Sequence, residues 1–343
     1  MTELVTTARA LVADGKGILA ADESTGTMDK RLSAVGVDAT AESRRQFREI
    51  VVTTPGLHES ISGVILYDET FRQNTSGGTP IPRVAEYSGM LPGIKVDTGA
   101  KPLAMTTGET VTEGLDGLRE RLEEYVELGA RFAKWRAVVR IGDQRPTVRC
   151  LRANAHALAR YAALCQEAGV VPIVEPEVLM DGDHSLERSE EVTGDALDHV
   201  FTELTGQGVL LEGIVLKPNM VLPGTDHPDQ RDVAAVVTAT LRCLRRHVPA
   251  AVPGIAFLSG GQGDEAATVH LDALNRAGPQ PWRLTFSYGR ALLSPALSAW
   301  AGQEDEAPAA QRILAHRARC NGAAATGRYS SELEDRLEVT VGA

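Results

Sequence analysis

Lys217 closes the short apolar run "GIVLK" at 213–217 and is followed at once by Pro218. An ammonium at the end of such a run must be solvated, be paired or lose its charge, because an unpaired buried cation is costly. Two other stretches end in groups that could act on it: "FAKWR" brings Lys134 and Arg136, and "VEPE" brings Glu175 and Glu177. Residues i and i+2 of a strand face the same side, so each of those pairs projects together. If the three runs are neighbouring strands, about 4.8 Å apart, Lys134, Glu175 and Lys217 share one pocket. Burial and a second ammonium would lower the pKa of Lys217 there, and Glu175 would raise it; a neutral amine fraction at that position is a nucleophile. Pro218 fixes its own φ and restricts the residue before it, which adds rigidity.

These groups need elements to hold them. Apolar runs that end in Gly, Pro or a polar cluster recur along the chain as "GILAADES", "SGVILYDE", "GIKVDTG", "RFAKWR", "VPIVEPE", "EGIVLKPN", "GIAFLSGG" and "RLTFSYGR". Most intervals hold a helix-like segment, such as "GLRERLEEYVELGA" or "DQRDVAAVVTATLRCLRRHV". Eight strands alternating with helices predict a (β/α)8 TIM barrel rather than an open doubly wound sheet. Composition shifts after Gly302, which predicts a C-terminal helix and polar tail from about 303 at the end of a single barrel domain spanning 1–343. Barrel sites lie at the C-terminal ends of the strands, and this chain places Asp22, Asp68, Lys95, Lys134, Arg136, Glu175, Glu177, Lys217 and Arg290 at those ends.

Two groups of rim residues suit phosphate. "SGG" at Ser259, Gly260 and Gly261 and "YGR" at Tyr288, Gly289 and Arg290 end the last two strands, where barrels commonly bind phosphate through backbone amides. Glycines admit close approach of the backbone, and Arg290 adds a bidentate contact. Lys30, Arg31, Lys95 and Arg136 form a second cationic group for another phosphate.

Composition narrows the alternatives. Lys+Arg 35 against Asp+Glu 46 gives a formal charge of −11, which argues against a nucleic-acid partner or an anionic membrane surface. Cys150, Cys165, Cys243 and Cys320 show no Cys-x-x-Cys spacing, the N-terminus lacks signal-peptide character, and no stretch approaches a membrane span; a reduced, cytoplasmic chain is expected. The eight histidines lack His-x-x-x-His or His-x-Glu spacing, so no metal is expected, and the loop around His184 reads as solvated. No glycine-rich nucleotide motif is present, and no cofactor is expected.

In their order, "GILAADESTGT", "GIKVD", "FAKWR", "VEPEVL", "LKPNMV", "FLSGGQ" and "SYGRAL" resemble the class I fructose-bisphosphate aldolases, the metal-independent, imine-forming family, from about residue 4 to about 331. The resemblance implies reversible cleavage of fructose 1,6-bisphosphate to dihydroxyacetone phosphate and glyceraldehyde 3-phosphate, in glycolysis and gluconeogenesis. It implies an imine on Lys217, proton shuttling by Glu175, assistance at the carbon-4 hydroxyl by Asp22, charge support from Lys134 and positioning by Glu177. It also implies that Ser259, Gly260, Gly261, Ser287, Gly289 and Arg290 hold one phosphate, and that Ser24, Thr27, Lys30, Arg31, Lys95 and Arg136 surround the other. Phosphorylated sugars are then the partners, and a homo-oligomer, a tetramer in the family, is expected. Thr98 stands where the family commonly has lysine. Many eukaryotic members end in a tyrosine that reaches the site, whereas this chain ends "LEVTVGA", and Tyr329 matches an earlier family segment. Another imine-forming aldolase or transaldolase, and a non-catalytic barrel scaffold, are the competing readings.

Overall fold

Each of the eight apolar runs is a strand in the computed structural model, which describes residues 2–230 and 232–335. Strands buried on both faces read as continuous apolar runs, and β1 (Gly17–Ala21), β2 (Ile61–Leu66), β7 (Val171–Val178) and β9 (Gly254–Phe257) are buried at every residue. With β3 (Leu91–Lys95), β6 (Phe132–Val139), β8 (Val215–Leu216) and β10 (Arg283–Tyr288) they close a parallel barrel in the order β1-β10-β9-β8-β7-β6-β3-β2. The remaining strands, β4 (Gly99–Pro102) and β5 (Thr110–Glu113), form an antiparallel hairpin after β3 that no apolar run marks. Of its eight residues only Thr112 is buried, so the hairpin has no apolar signature.

The first helices are α1 (Glu3–Leu11), α2 (Thr25–Ala34), α3 (Ala41–Val52), α4 (Asp68–Phe71), α5 (Ile81–Tyr87) and α6 (Leu118–Glu127). They are followed by α7 (Val148–Glu167), α8 (Leu186–Gly206), α9 (Val233–His247), α10 (Asp264–Arg276), α11 (Arg290–Trp300) and α12 (Ala307–Ala324). The long helices α7, α8 and α9 start at side-chain caps: Thr147, Ser185 and Asp232 accept from backbone N–H groups in their first turns.

The barrel interior is filled by large rings set against glycines. A Cβ on Gly93 would lie 2.2 Å from the Phe132 ring, and one on Gly17 would lie 2.5 Å from the Phe286 ring. Helix α1 closes the N-terminal end by packing Ala8 and Leu11, with Val12 at its C-cap, into the same buried cluster as Ile18, Phe132 and Ile173. That plug leaves the C-terminal ends of the strands as the open mouth.

The expected C-terminal helix is α12. Beyond it the chain returns along α10: Tyr329 N donates to Asp272 Oδ1 at 2.8 Å, and Arg276 Nη2 donates to the Tyr329 carbonyl at 2.7 Å. The last part of the expected polar tail, 336–343, lies outside the described residues.

Candidate active site

Adjacency of β6, β7 and β8 brings the three central side chains together. Arg136 on β6 pairs in register with Glu175 on β7, and Val174 pairs with Leu216 on β8. Lys217 continues that ladder by one step, its N–H donating to the Val174 carbonyl at 2.8 Å, so its side chain emerges level with Glu175. Asp22 follows β1 and reaches the group from across the mouth.

The result is a continuous chain of buried charges. Lys217 Nζ lies 3.1 Å from Glu175 Oε1, Lys134 Nζ lies 3.3 Å from Glu175 Oε2, and Lys134 Nζ lies 2.6 Å from Asp22 Oδ2. Glu175 thus stands between two ammonium groups, one on each oxygen. Burial alone would raise the Asp22 pKa, but Lys134 and Lys217 outweigh it and hold the carboxyl well below the usual carboxylate range. Glu175 is likewise held low: burial opposes its charge, and Lys134, Lys217 and Arg136 overcome it. For Lys134 burial disfavours the charge, yet Asp22 and Glu175 keep the ammonium protonated above the ordinary lysine value.

A second tier surrounds this chain. Arg136 is ion-paired with Glu177. Lys95 Nζ lies 2.6 Å from Asp97 Oδ1, and the same carboxylate accepts from the backbone N–H groups of Gly99 at 3.1 Å and Arg136 at 3.3 Å. Glu23 is ion-paired with both Arg31 and the buried Arg48. Ser24 Oγ and Thr27 Oγ1 are 3.1 Å apart at the rim.

Opposite them, Ser259 is buried, and Gly260 and Gly261 take φ of 59° and 92°, a left-handed turn that glycine adopts without strain. Ser287 Oγ is buried and has no hydrogen-bond partner among the described residues, although it lines the cavity. Arg290, at the start of α11, completes this side.

All the site residues singled out from sequence, Gly261 excepted, line one cavity of about 620 Å³. Gly261 stands just outside it, where an added Cβ would lie 3.5 Å from Arg290 Nη2. Asp68, grouped with the rim charges by its position after a strand, is turned away: it accepts from Tyr125 O–H at 2.7 Å and pairs with Arg72. Tyr67 takes its place on the wall. Asp97, Glu23, Tyr67 and Val138, which the sequence pattern did not single out, also line the cavity. Asp97 had a usable signal, standing two residues after Lys95 in "GIKVD". A larger cavity, about 1070 Å³, opens at the N-terminal end beside Trp282, but its Arg283 and Asp14 pair with each other at 3.3 Å on an exposed rim and no buried ionisable set converges there. The smaller cavity is therefore the candidate active site.

Residues 3–340 match the family model described as fructose-bisphosphate aldolase class-I. The chain belongs to the class I fructose-bisphosphate aldolase family. It is 54% identical over 328 residues to a probable fructose-bisphosphate aldolase class 1 of Xylella fastidiosa, covering 95% of this chain and 98% of that one. It is 51% identical to the rat fructose-bisphosphate aldolase C, covering 95% of this chain and 91% of the other. A solved aldolase from Plasmodium falciparum, crystallised with TRAP and a small molecule inhibitor, superposes with a TM-score of 0.95 at 47% identity, covering 96% of this chain and 95% of its own. A (β/α)8 aldolase barrel is thus established by sequence and by shape.

Proposed function

We propose that this chain cleaves fructose 1,6-bisphosphate reversibly to dihydroxyacetone phosphate and glyceraldehyde 3-phosphate, through an imine on Lys217. The observation that carries the proposal is the shared carboxylate: Glu175 touches the nucleophile through one oxygen and Lys134 through the other. The Lys217 ammonium first gives a proton to Glu175, and the free amine attacks the ketone carbon, one N–H proton passing to the carbonyl oxygen to make the carbinolamine hydroxyl. Glu175 returns its proton to the departing hydroxyl, so water leaves and the iminium forms. Asp22 takes the proton of the carbon-4 hydroxyl as the carbon 3–carbon 4 bond breaks, and the bonding pair moves into the iminium to give an enamine and the free aldehyde. Protonation of the enamine and addition of water then release the ketone and restore Lys217. Lys134 keeps both carboxylates ionised, and Glu177 fixes Arg136.

The phosphates are assigned to the two sides of the mouth. Ser259, Gly260, Gly261, Ser287, Gly289 and Arg290 would hold one, and the partnerless Ser287 hydroxyl supports a ligand contact there. Lys95, Arg136, Lys30, Arg31, Ser24 and Thr27 would surround the other. A scaffold role gives no reason for four buried, mutually paired charges at the mouth, since such groups are expensive to desolvate. The same reading carries a homo-oligomer, which rests on the family resemblance alone, and cytoplasmic action. An Arabidopsis relative at 49% identity is described as cytosolic, and no helix among the described residues is long and apolar enough to cross a membrane.

Two substitutions test the assignment. Lys217→Met is expected to abolish cleavage while leaving the circular dichroism spectrum unchanged, and turnover within about tenfold of wild type would overturn it. Arg290→Ala is expected to raise KM for phosphorylated ketoses far more than it affects an unphosphorylated ketose. Equal effects on both would remove Arg290 from the phosphate site.

A further inference from the structure

On α12, far along the chain from the catalytic strands, His316 and Cys320 stand four residues apart and so share one helical face. The segment returning along α10 lays Glu334 against that face. His316 Nε2 is 3.7 Å from Cys320 Sγ and 3.6 Å from Glu334 Oε2, and the three ligand atoms all lie within 4.8 Å of one another. Tetrahedral zinc, with Zn–S of about 2.3 Å and Zn–N or Zn–O of about 2.0–2.1 Å, sets ligand-to-ligand edges of roughly 3.3–3.6 Å. Two of the three edges are therefore already close to the length a bound ion requires. We propose that His316, Cys320 and Glu334 form a binding site for one thiophilic divalent cation of the zinc class, which ties the returning segment to α12.

The surroundings suit such an ion. His316 and Cys320 are buried and Glu334 is half-buried, so water competes poorly for the ligands. Tyr329 O–H donates to Glu334 Oε1 at 2.8 Å and Arg317 pairs with Oε2, the kind of outer hydrogen bonds that orient a ligating carboxylate. Arg317 adds a positive charge close by, but its Nε lies 3.9 Å from Asp264 and that carboxylate shares the load. The Cys320 thiol faces the Leu333 carbonyl at 3.9 Å.

Charge and protons balance. Burial first, and Glu334 second, push the Cys320 thiol up to about 12, so the empty site holds a neutral thiol. On binding, the S–H proton passes to solvent and the sulfur bonds the metal as thiolate, while His316 binds through its neutral ring. Thiolate and carboxylate together cancel a double positive charge. Binding must therefore strengthen as pH rises, since protons compete for the sulfur.

The test is titration of the full-length chain, stripped by a chelator, with Zn²⁺ and separately with Co²⁺. One equivalent per chain is expected, with a thiolate-to-cobalt charge-transfer band that grows from pH 6 to pH 8. Loss of outer hydrogen-bond partners alone costs about tenfold to a hundredfold in metal affinity, so Cys320→Ser should weaken Zn²⁺ by at least about a hundredfold and remove the band. Unchanged aldol cleavage by stripped Cys320→Ser protein shows that the variant is folded. Should it fail to fold, His316→Gln and Glu334→Gln carry the test, each with weakened Zn²⁺ binding expected. Absence of stoichiometric binding to the wild-type chain, or wild-type affinity in these variants, overturns the site.

Discussion

Lys134 is the residue on which the charge network turns, because it is the only one of the four central side chains ion-paired with both buried carboxylates, Asp22 and Glu175. Asp22 and Glu175 have folded pKa values below their ordinary ones. Their stabilising contribution is therefore present above the unfolded carboxylate range, about pH 4, and is lost as pH falls through the folded values. Lys134 has the opposite sign: raised in the fold, its contribution is complete below the ordinary lysine value and lost as pH rises through the folded one. Lys134→Met leaves two buried carboxylates with less compensation and should cost about 3–5 kcal/mol near neutral pH. Its acid unfolding midpoint, followed by circular dichroism, should move to higher pH; a midpoint unchanged from wild type would contradict the network. Asp22→Asn tests chemistry more than stability and should lower kcat for cleavage by about 10²–10⁴-fold, as expected for a lost proton acceptor. The central residues were legible because charges ending successive apolar runs have few structural reasons to exist. Not all of their partners were. Glu23 with Arg48 became visible only once helix placement was known, whereas Asp97 with Lys95 is an i, i+2 pair already written in "GIKVD".

Strand β3 shows what the elements contribute. Lys95 is presented to the mouth by a strand whose Gly93 faces the Phe132 ring inside the barrel, and Phe132 opens the strand that carries Lys134. A methyl group at Gly93 would stand 2.2 Å from a fully buried ring. Gly93→Ala is thus expected to destabilise by about 1–3 kcal/mol or more, as overpacking does, and to disturb Lys95 and Lys134 together. Thermal melting and KM measured on one preparation check this; a variant as stable as wild type would show that the ring moves aside freely. All eight barrel strands were legible from apolar runs, but the length of one was not. The run around Lys217 yields only two strand residues, because a 3₁₀ turn at Leu211–Gly213 precedes them and Pro218 follows Lys217. The β4–β5 hairpin, whose Gly99 and Ala100 border the cavity, escaped notice because exposed strands carry no apolar pattern.

At the scale of the whole molecule, the returning C-terminal segment joins α10, α12 and the described end of the chain through the Arg317–Glu334 pair. Ending the chain after Ser331 removes Glu334 and leaves Arg317 buried with Asp264 as its remaining carboxylate. A loss of about 1–3 kcal/mol is expected, less than the ~3–5 kcal/mol of a fully orphaned buried charge. Cleavage of the bisphosphate should change by less than about tenfold, under ~1.4 kcal/mol of barrier, since the described tail contributes no side chain to the cavity. Melting and turnover of the truncated protein separate the two effects, and a larger loss of turnover would place the tail in the site. The tail's contacts were illegible because Glu334 meets His316 and Arg317 only through the fold. Catalysis itself depends on the barrel delivering one amine to a carbonyl. Borohydride reduction in the presence of dihydroxyacetone phosphate, followed by peptide mapping, identifies that amine. The expected result is a single stable adduct on Lys217; an adduct on another lysine, or none, would rule out Lys217 as the nucleophile.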